Sequence, residues 1–123
     1  MQAMEFAKGR QAALALVFVA DAPGRFAQEF REAKAALLAW NGKHGDACDM
    51  VMFTVTAPPE VRDEVRQFLD RVYHEEMELA PLLQRIKVEV SILDSRGKPA
   101  CQYSMGTAPP PPAQQAKSWW KFW

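Results

Sequence analysis

The sequence predicts a small α/β domain with the element order β-α-β-α-β-β and a candidate terminal helix at residues 113–123. Two short apolar runs, 11–20 and 50–56, are typical of buried strands. Each is followed by a segment with apolar residues at helical spacing, and residues 86–93 alternate between apolar and polar side chains. These three observations predict a layered sheet covered by helices.

The first half of the chain predicts a strand, a helix and a second strand. The run Gln11 to Ala20 is continuously apolar, which favours a strand buried on both faces, and Asp21-Ala22-Pro23-Gly24 closes it. A helix is predicted from Arg25 to Trp40, stopped by Asn41-Gly42; its apolar stripe is Phe26, Phe30, Ala33, Leu37 and Trp40. The second strand is Met50 to Thr56. This order predicts a parallel pair joined by a right-handed crossover.

The second half predicts another helix and a hairpin. Pro59 suits a first helical turn, and the helix is expected to run to about Leu79, before Pro81 ends or kinks it. Its buried stripe is Val61, Val65, Phe68, Leu69 and Val72. The strands 86–93 and 98–105, separated by the turn 94–97, predict an antiparallel hairpin in which Pro99 marks an edge strand.

This succession of elements resembles the thioredoxin-like fold in order and length, and a ferredoxin-like sheet is the alternative. At the start of the first helix, where thioredoxin-like enzymes carry Cys-x-x-Cys, this chain has Ala22-Pro23-Gly24-Arg25. The sequence therefore excludes thiol–disulfide chemistry by that route. The predicted boundaries are an α/β domain at 1–106, a proline-rich spacer at 107–112 and an aromatic tail at 113–123.

Composition narrows the classes of function. The 123 residues hold 15 basic and 15 acidic side chains, so no broad positive field attracts nucleic acid, and no nucleic-acid partner is expected. The two cysteines form no metal or redox motif, and no cofactor motif is present.

The N-terminal segment resembles a secretory signal, because Lys8 and Arg10 precede an apolar run that ends in small residues. Pro23 directly follows the small-residue cleavage site, which favours a retained strand instead. We expect a cytoplasmic, bacterial protein.

The tail carries most of the functional signal. Residues 118–123 read SWWKFW, and three of the chain's four tryptophans lie among the last five residues. The four prolines before it predict an extended spacer of about 12 Å at roughly 3.1 Å per residue. If residues 113–123 form a helix, one face is polar and the other is a wide apolar arc. The candidate partner-binding residues are Lys117, Trp119, Trp120, Lys121, Phe122 and Trp123.

Exposed aromatic side chains are an aggregation hazard, so the tail is expected to be covered. Three interpretations compete: the tail packs on its own sheet as a last helix, it docks on a partner protein, or it binds a membrane surface. Only Lys117 and Lys121 would assist membrane binding, which makes the membrane the weakest of the three.

The sequence favours a non-enzymatic protein–protein interaction or adaptor module whose tail docks on a partner. The alternative is a small α/β enzyme or ligand-binding domain. Its site would lie at the carboxyl ends of the first two predicted strands, where open α/β sheets place ligands, with Asp21, Thr56 and Cys48 as its candidate residues.

Overall fold

The computed structural model describes residues 1–105, so the predicted spacer and tail lie outside the described residues. Residues 1–105 contain five strands and three α-helices, with a short 3-10 turn at Gly45–Ala47. The strands are β1 (Gln2–Lys8), β2 (Gln11–Val19), β3 (Cys48–Thr56), β4 (Lys87–Leu93) and β5 (Pro99–Met105). The helices are α1 (Arg25–His44), α2 (Pro59–Glu75) and α3 (Ala80–Leu83).

The five strands form one mixed sheet in the order β1-β2-β3-β4-β5. The three inner strands β2, β3 and β4 are parallel, and each edge strand is antiparallel to its neighbour. The predicted parallel pair and the predicted hairpin are therefore confirmed, and Pro99 lies in an edge strand as expected. The mixed α/β class is confirmed, while the thioredoxin-like and ferredoxin-like assignments stay predictions.

Burial alternates along the inner strands, except at the start of β3, where the register with β2 shifts. On β2, Leu14, Leu16 and Phe18 are buried, while the residues between them are only half-buried. The buried residues of β3 and β4 lie on the same side of the sheet, because cross-strand partners share a face. Helices α1 and α2 pack on that side, and the apolar stripe predicted for α1 is buried at all five positions.

An aromatic cluster joins the two long helices to the sheet. The rings of Phe18 and Phe26 have centroids 4.8 Å apart, and those of Phe30 and Phe68 are 5.1 Å apart. Phe53 completes the cluster from β3, at 6.2 Å from Phe30. Edge-on and offset aromatic pairs add to the burial of apolar area, so this cluster fixes both helices on one face.

Four features differ from the prediction. Helix α1 continues through Asn41 and Gly42 and ends at His44, before Gly45 with φ +54°. Strand β1 is absent from the prediction and forms a hairpin with β2. Helix α2 ends at Glu75 rather than near Leu79, because Glu76 adopts an extended backbone and its Oε1 accepts a 2.9 Å hydrogen bond from the N–H of Glu78. Pro81 lies in the first turn of α3, where a missing N–H is tolerated, so it starts a short helix instead of ending a long one.

Candidate binding surface

The side of the sheet opposite α1 and α2 is covered by no element of residues 1–105, and we call it the open face. The strand register places its side chains in rows that cross four or five strands. One row runs through Phe6, Ala13, Met50 and Lys87. The next runs through Met4, Ala15, Met52, Glu89 and Ser104. A third runs through Gln2, Val17, Thr54, Ser91 and Gln102.

These rows divide the open face into two chemically different halves. The apolar half lies over β1, β2 and β3 and consists of Met4, Phe6, Ala13, Ala15, Val17, Val19, Met50 and Met52. The polar half lies over β4, β5 and the carboxyl-terminal part of β3, and it consists of Thr54, Lys87, Glu89, Ser91, Gln102 and Ser104. The boundary follows β3, so one surface offers apolar contact and polar groups side by side.

The apolar half holds most of the exposed large apolar side chains found in residues 1–105. Met4 is 48% exposed, Phe6 56% and Val19 52%. The fourth exposed side chain of this kind, Met77, lies in the connection between α2 and α3. Single exposed apolar residues are ordinary on protein surfaces, whereas a contiguous patch marks an interaction site.

The polar half contains a depression of about 360 Å³. Its lining includes Thr54, Glu89 and Ser91, and Nε2 of Gln102 donates a 3.3 Å hydrogen bond to Oγ of Ser91. The depression therefore supplies hydrogen-bonding groups beside the apolar half.

A second concavity, of about 800 Å³, lies on the helix side between α2 and β5. Its lining is charged, and includes Asp63, Arg66, Asp70 and Arg71. The guanidinium of Arg66 lies 5.9 Å from the ring centroid of Tyr103. Burial raises the pKa of Tyr103 to about 12, so this hydroxyl stays protonated at neutral pH.

Asp21 and Thr56, predicted as site residues, lie at the same edge of the sheet. The N–H of Ala20 donates a 2.8 Å hydrogen bond to the carbonyl oxygen of Thr56, which joins the carboxyl ends of β2 and β3. The Asp21 side chain is 64% exposed, and its Oδ1 lies 3.5 Å from Nη1 of Arg25. The two residues are neighbours as expected, and Asp21 is an exposed member of an ion pair.

The structure does not bring Cys48 to that edge. Cys48 begins β3 and Thr56 ends it, so they are about 26 Å apart at roughly 3.3 Å per residue. The Cys48 thiol is buried and directed to the carbonyl oxygen of Trp40, with an Sγ–O distance of 3.8 Å. Burial raises its pKa above the ordinary value, which is the opposite of what an activated thiolate requires.

Residues 1–105 hold no group of three or more His, Cys, Asp or Glu side chains placed to bind a metal ion. In the same part of the chain, no helix is both long and apolar enough to cross a bilayer. The predicted partner-binding residues, Lys117 to Trp123, lie outside the described residues.

Comparisons with known proteins were made by sequence and by structure. No protein-family model matches the chain, and neither a curated protein nor a solved structure is significantly similar to it.

The apolar half of the open face was not among the predicted site residues. In the sequence, this surface is visible only as the alternate residues Gln2, Met4 and Phe6 of β1, which pair with Val17, Ala15 and Ala13 of β2. Because the run 11–20 is continuously apolar, those three β2 residues resemble core residues. Recognising them as surface requires knowing that both helices lie on the other side.

Proposed function

We propose that the protein is a non-enzymatic interaction module that binds a partner protein through apolar contacts. The apolar half of the open face receives an aromatic or aliphatic segment. The chain also carries a docking segment of its own, the C-terminal tail, whose contact residues are Trp119, Trp120, Phe122 and Trp123. The observation that carries the proposal is the exposure of Met4 and Phe6 side by side on a sheet face that no helix of residues 1–105 covers.

The apolar half leaves apolar surface in water, and removing such surface from water is favourable by about 25 cal/mol per Å². Its side chains each occupy about 4.8 Å by about 6.7 Å of one sheet face, which gives a plan area on the order of 300 Å². A standard protein–protein interface buries about 800 Å² on each partner. The face is therefore sized for one peptide segment rather than for a whole globular partner.

Side-chain chemistry favours an aromatic ligand. Met4, Met50 and Met52 bring three thioethers to the apolar half, and sulfur–aromatic contacts are favourable by about 0.3–1.5 kcal/mol each. Tryptophan is enriched at the energetic centres of interfaces because it buries a large area with little loss of rotamer freedom. A segment like the tail therefore suits a methionine-rich face.

The direct test uses the full chain with Trp119→Ser, Trp120→Ser and Trp123→Ser, so that its own tail does not compete. A fluorescent peptide corresponding to residues 113–123 serves as the probe, and binding is followed by fluorescence anisotropy. We expect saturable binding that weakens at least about tenfold when Phe6→Ser is added, which corresponds to about 1.4 kcal/mol.

The matched control is Gln102→Ala, which changes the polar half of the same face and should leave the peptide affinity unchanged. Circular dichroism confirms that each variant is folded. Absence of saturable binding, or an equal loss of affinity in the control, contradicts the open face as the receiving surface.

A further inference from the structure

We infer that, in the isolated protein, the aromatic tail of the chain lies on the open face of the same chain, over its apolar half. This inference rests on the proposed function and names the first occupant of the proposed surface.

The described residues end at Met105, at the end of the sheet from which the tail can reach the apolar half of the open face. Strand β5 ends at Met105, which pairs with Val88 near the start of β4. The row of Phe6, Ala13 and Met50 crosses the sheet at this same end, because Met50 pairs with Lys87, the residue before Val88. The tail therefore starts from the end of the sheet where the apolar half begins.

The length of the spacer matches the distance to be crossed. Strands in a sheet are roughly 4.8 Å apart, so β2 lies about 14 Å and β1 about 19 Å from β5. Residues 106–112 reach about 22 Å at roughly 3.1 Å per residue in an extended polyproline conformation. The spacer can therefore carry residue 113 across the polar half to any strand of the apolar half.

The size of the tail also matches the surface. Eleven residues in a helix are about 16 Å long and about 10 Å wide with side chains, close to the plan area of the apolar half. Each aromatic side chain buries on the order of 150–250 Å² when fully covered. A single tail is enough to cover the exposed parts of Met4 and Phe6.

The helix-side concavity is the nearest competing place for the tail, because Met105 is part of its lining. Covering it with four aromatic residues would remove Asp63, Arg66, Asp70 and Arg71 from water, and burying charges without full compensation is costly. The open face imposes no such cost over its apolar half. Charge and polarity therefore favour the open face.

Docking within one chain is also favoured over docking on a second copy. A linker that spans two sites gives an effective concentration in the millimolar range. At micromolar protein concentration the tail therefore meets its own open face far more often than that of another molecule. Two apolar halves stacked on each other would each contribute on the order of 300 Å², well below the roughly 800 Å² of a standard interface.

Site-specific photo-cross-linking in the full chain tests the inference. A photoreactive phenylalanine analogue replaces Phe6, and two control proteins carry it in place of Gln102 on the polar half or Gln67 beside the helix-side concavity. Isotopically light and heavy preparations are mixed before irradiation, and the adducts are identified by mass spectrometry. We expect position 6 to give adducts with residues 118–123 at more than about five times the yield of either control, with light joined only to light and heavy only to heavy.

Adducts that join light to heavy chains would overturn the inference in favour of tail exchange between copies. Adducts formed mainly from position 67 would place the tail on the helix side, and a lack of tail adducts at position 6 would remove it from the open face. The peptide experiment separates these failures from failure of the proposed function: if the added peptide binds but no intrachain adduct forms, only the intrachain docking is wrong.

Discussion

The backbone N–H of Gly24 donates a 2.8 Å hydrogen bond to Oε2 of Glu64. Gly24 has φ +82°, a left-handed conformation that glycine adopts without strain, and it lies directly before the first residue of α1. The contact therefore joins the start of α1 to the side of α2, at the edge of the sheet where β2 ends. It fixes the relative position of the two helices that cover the buried face.

Replacing Glu64 should loosen that junction. We expect Glu64→Ala to lower the free energy of unfolding by about 1 kcal/mol, because an N–H donor loses its charged acceptor, and Glu64→Gln to lower it less, because an amide oxygen still accepts. Urea unfolding monitored by circular dichroism measures the difference. The control is Gln67→Ala, an exposed change on the same helix, and a loss as large as that of Glu64→Ala there would argue against the hydrogen bond as the cause.

The two faces of the sheet should respond very differently to loss of a phenylalanine ring. Phe18 is 1% exposed within the aromatic cluster, and Phe6 is 56% exposed on the open face. We expect Phe18→Ala to lower the free energy of unfolding by about 3–5 kcal/mol, since it leaves a cavity in the core. Phe6→Ala, measured in the protein that also carries Trp119→Ser, Trp120→Ser and Trp123→Ser, should cost less than about 1 kcal/mol, because no other part of residues 1–105 covers this ring.

Chemical denaturation of both variants provides the measurement, and each serves as the control for the other. Equal losses of stability would mean that the open face is as fully covered as the helix face.

Acid should weaken the contact between α1 and the segment after α2. Nζ of Lys34 lies 2.9 Å from Oε2 of Glu76 and 2.9 Å from Oε1 of Glu78. The hydrogen bond from the N–H of Glu78, and then the Lys34 ammonium, hold the pKa of Glu76 below its ordinary value of 4.5. Because the folded-state pKa is the lower one, this carboxylate stabilises the fold above about pH 4.5, and its contribution is lost as the pH falls through the folded pKa.

We therefore expect Glu76→Gln to lose less stability than the unsubstituted protein when the pH is lowered from about 6 to about 3. Glu75→Gln changes the net charge equally at the adjacent, exposed position and is the matched control. Thermal unfolding as a function of pH gives the comparison. A pH dependence for Glu76→Gln as steep as that of the control would contradict this role for Glu76.

Much of the fold could be predicted because burial on one face imposes a period on the sequence. The α1 stripe from Phe26 to Trp40 is recognisable since only residues facing the sheet need to be apolar. The hairpin of β4 and β5 was predicted for the same reason, through the alternation of 86–93. Asp21 and Thr56 were placed together because adjacent parallel strands end at the same edge.

The remaining features could not be predicted because their sequences lack a regular alternation of apolar and polar positions. All seven residues of β1 are exposed, so neither of its faces had to be apolar. Strand β2 is apolar at nearly every position, which indicates burial on both faces, although residues 1–105 cover only the face that carries Leu14 and Phe18. Cys48 precedes the predicted strand 50–56, so it lies at the amino end of β3, opposite the edge that carries Asp21 and Thr56.

Methyl NMR of the full chain, labelled with ¹³C at its methionine methyl groups, shows whether the tail lies on its own sheet. We expect the methyl signals of Met4, Met50 and Met52 to be shifted upfield by the tail rings. They should move downfield in the variant with Trp119→Ser, Trp120→Ser and Trp123→Ser, independently of protein concentration. Met77, which is 88% exposed and lies away from the open face, should keep the same chemical shift in both proteins. Unchanged Met4, Met50 and Met52 signals, or changes that appear only as the concentration rises, would contradict the docking of the tail on its own sheet.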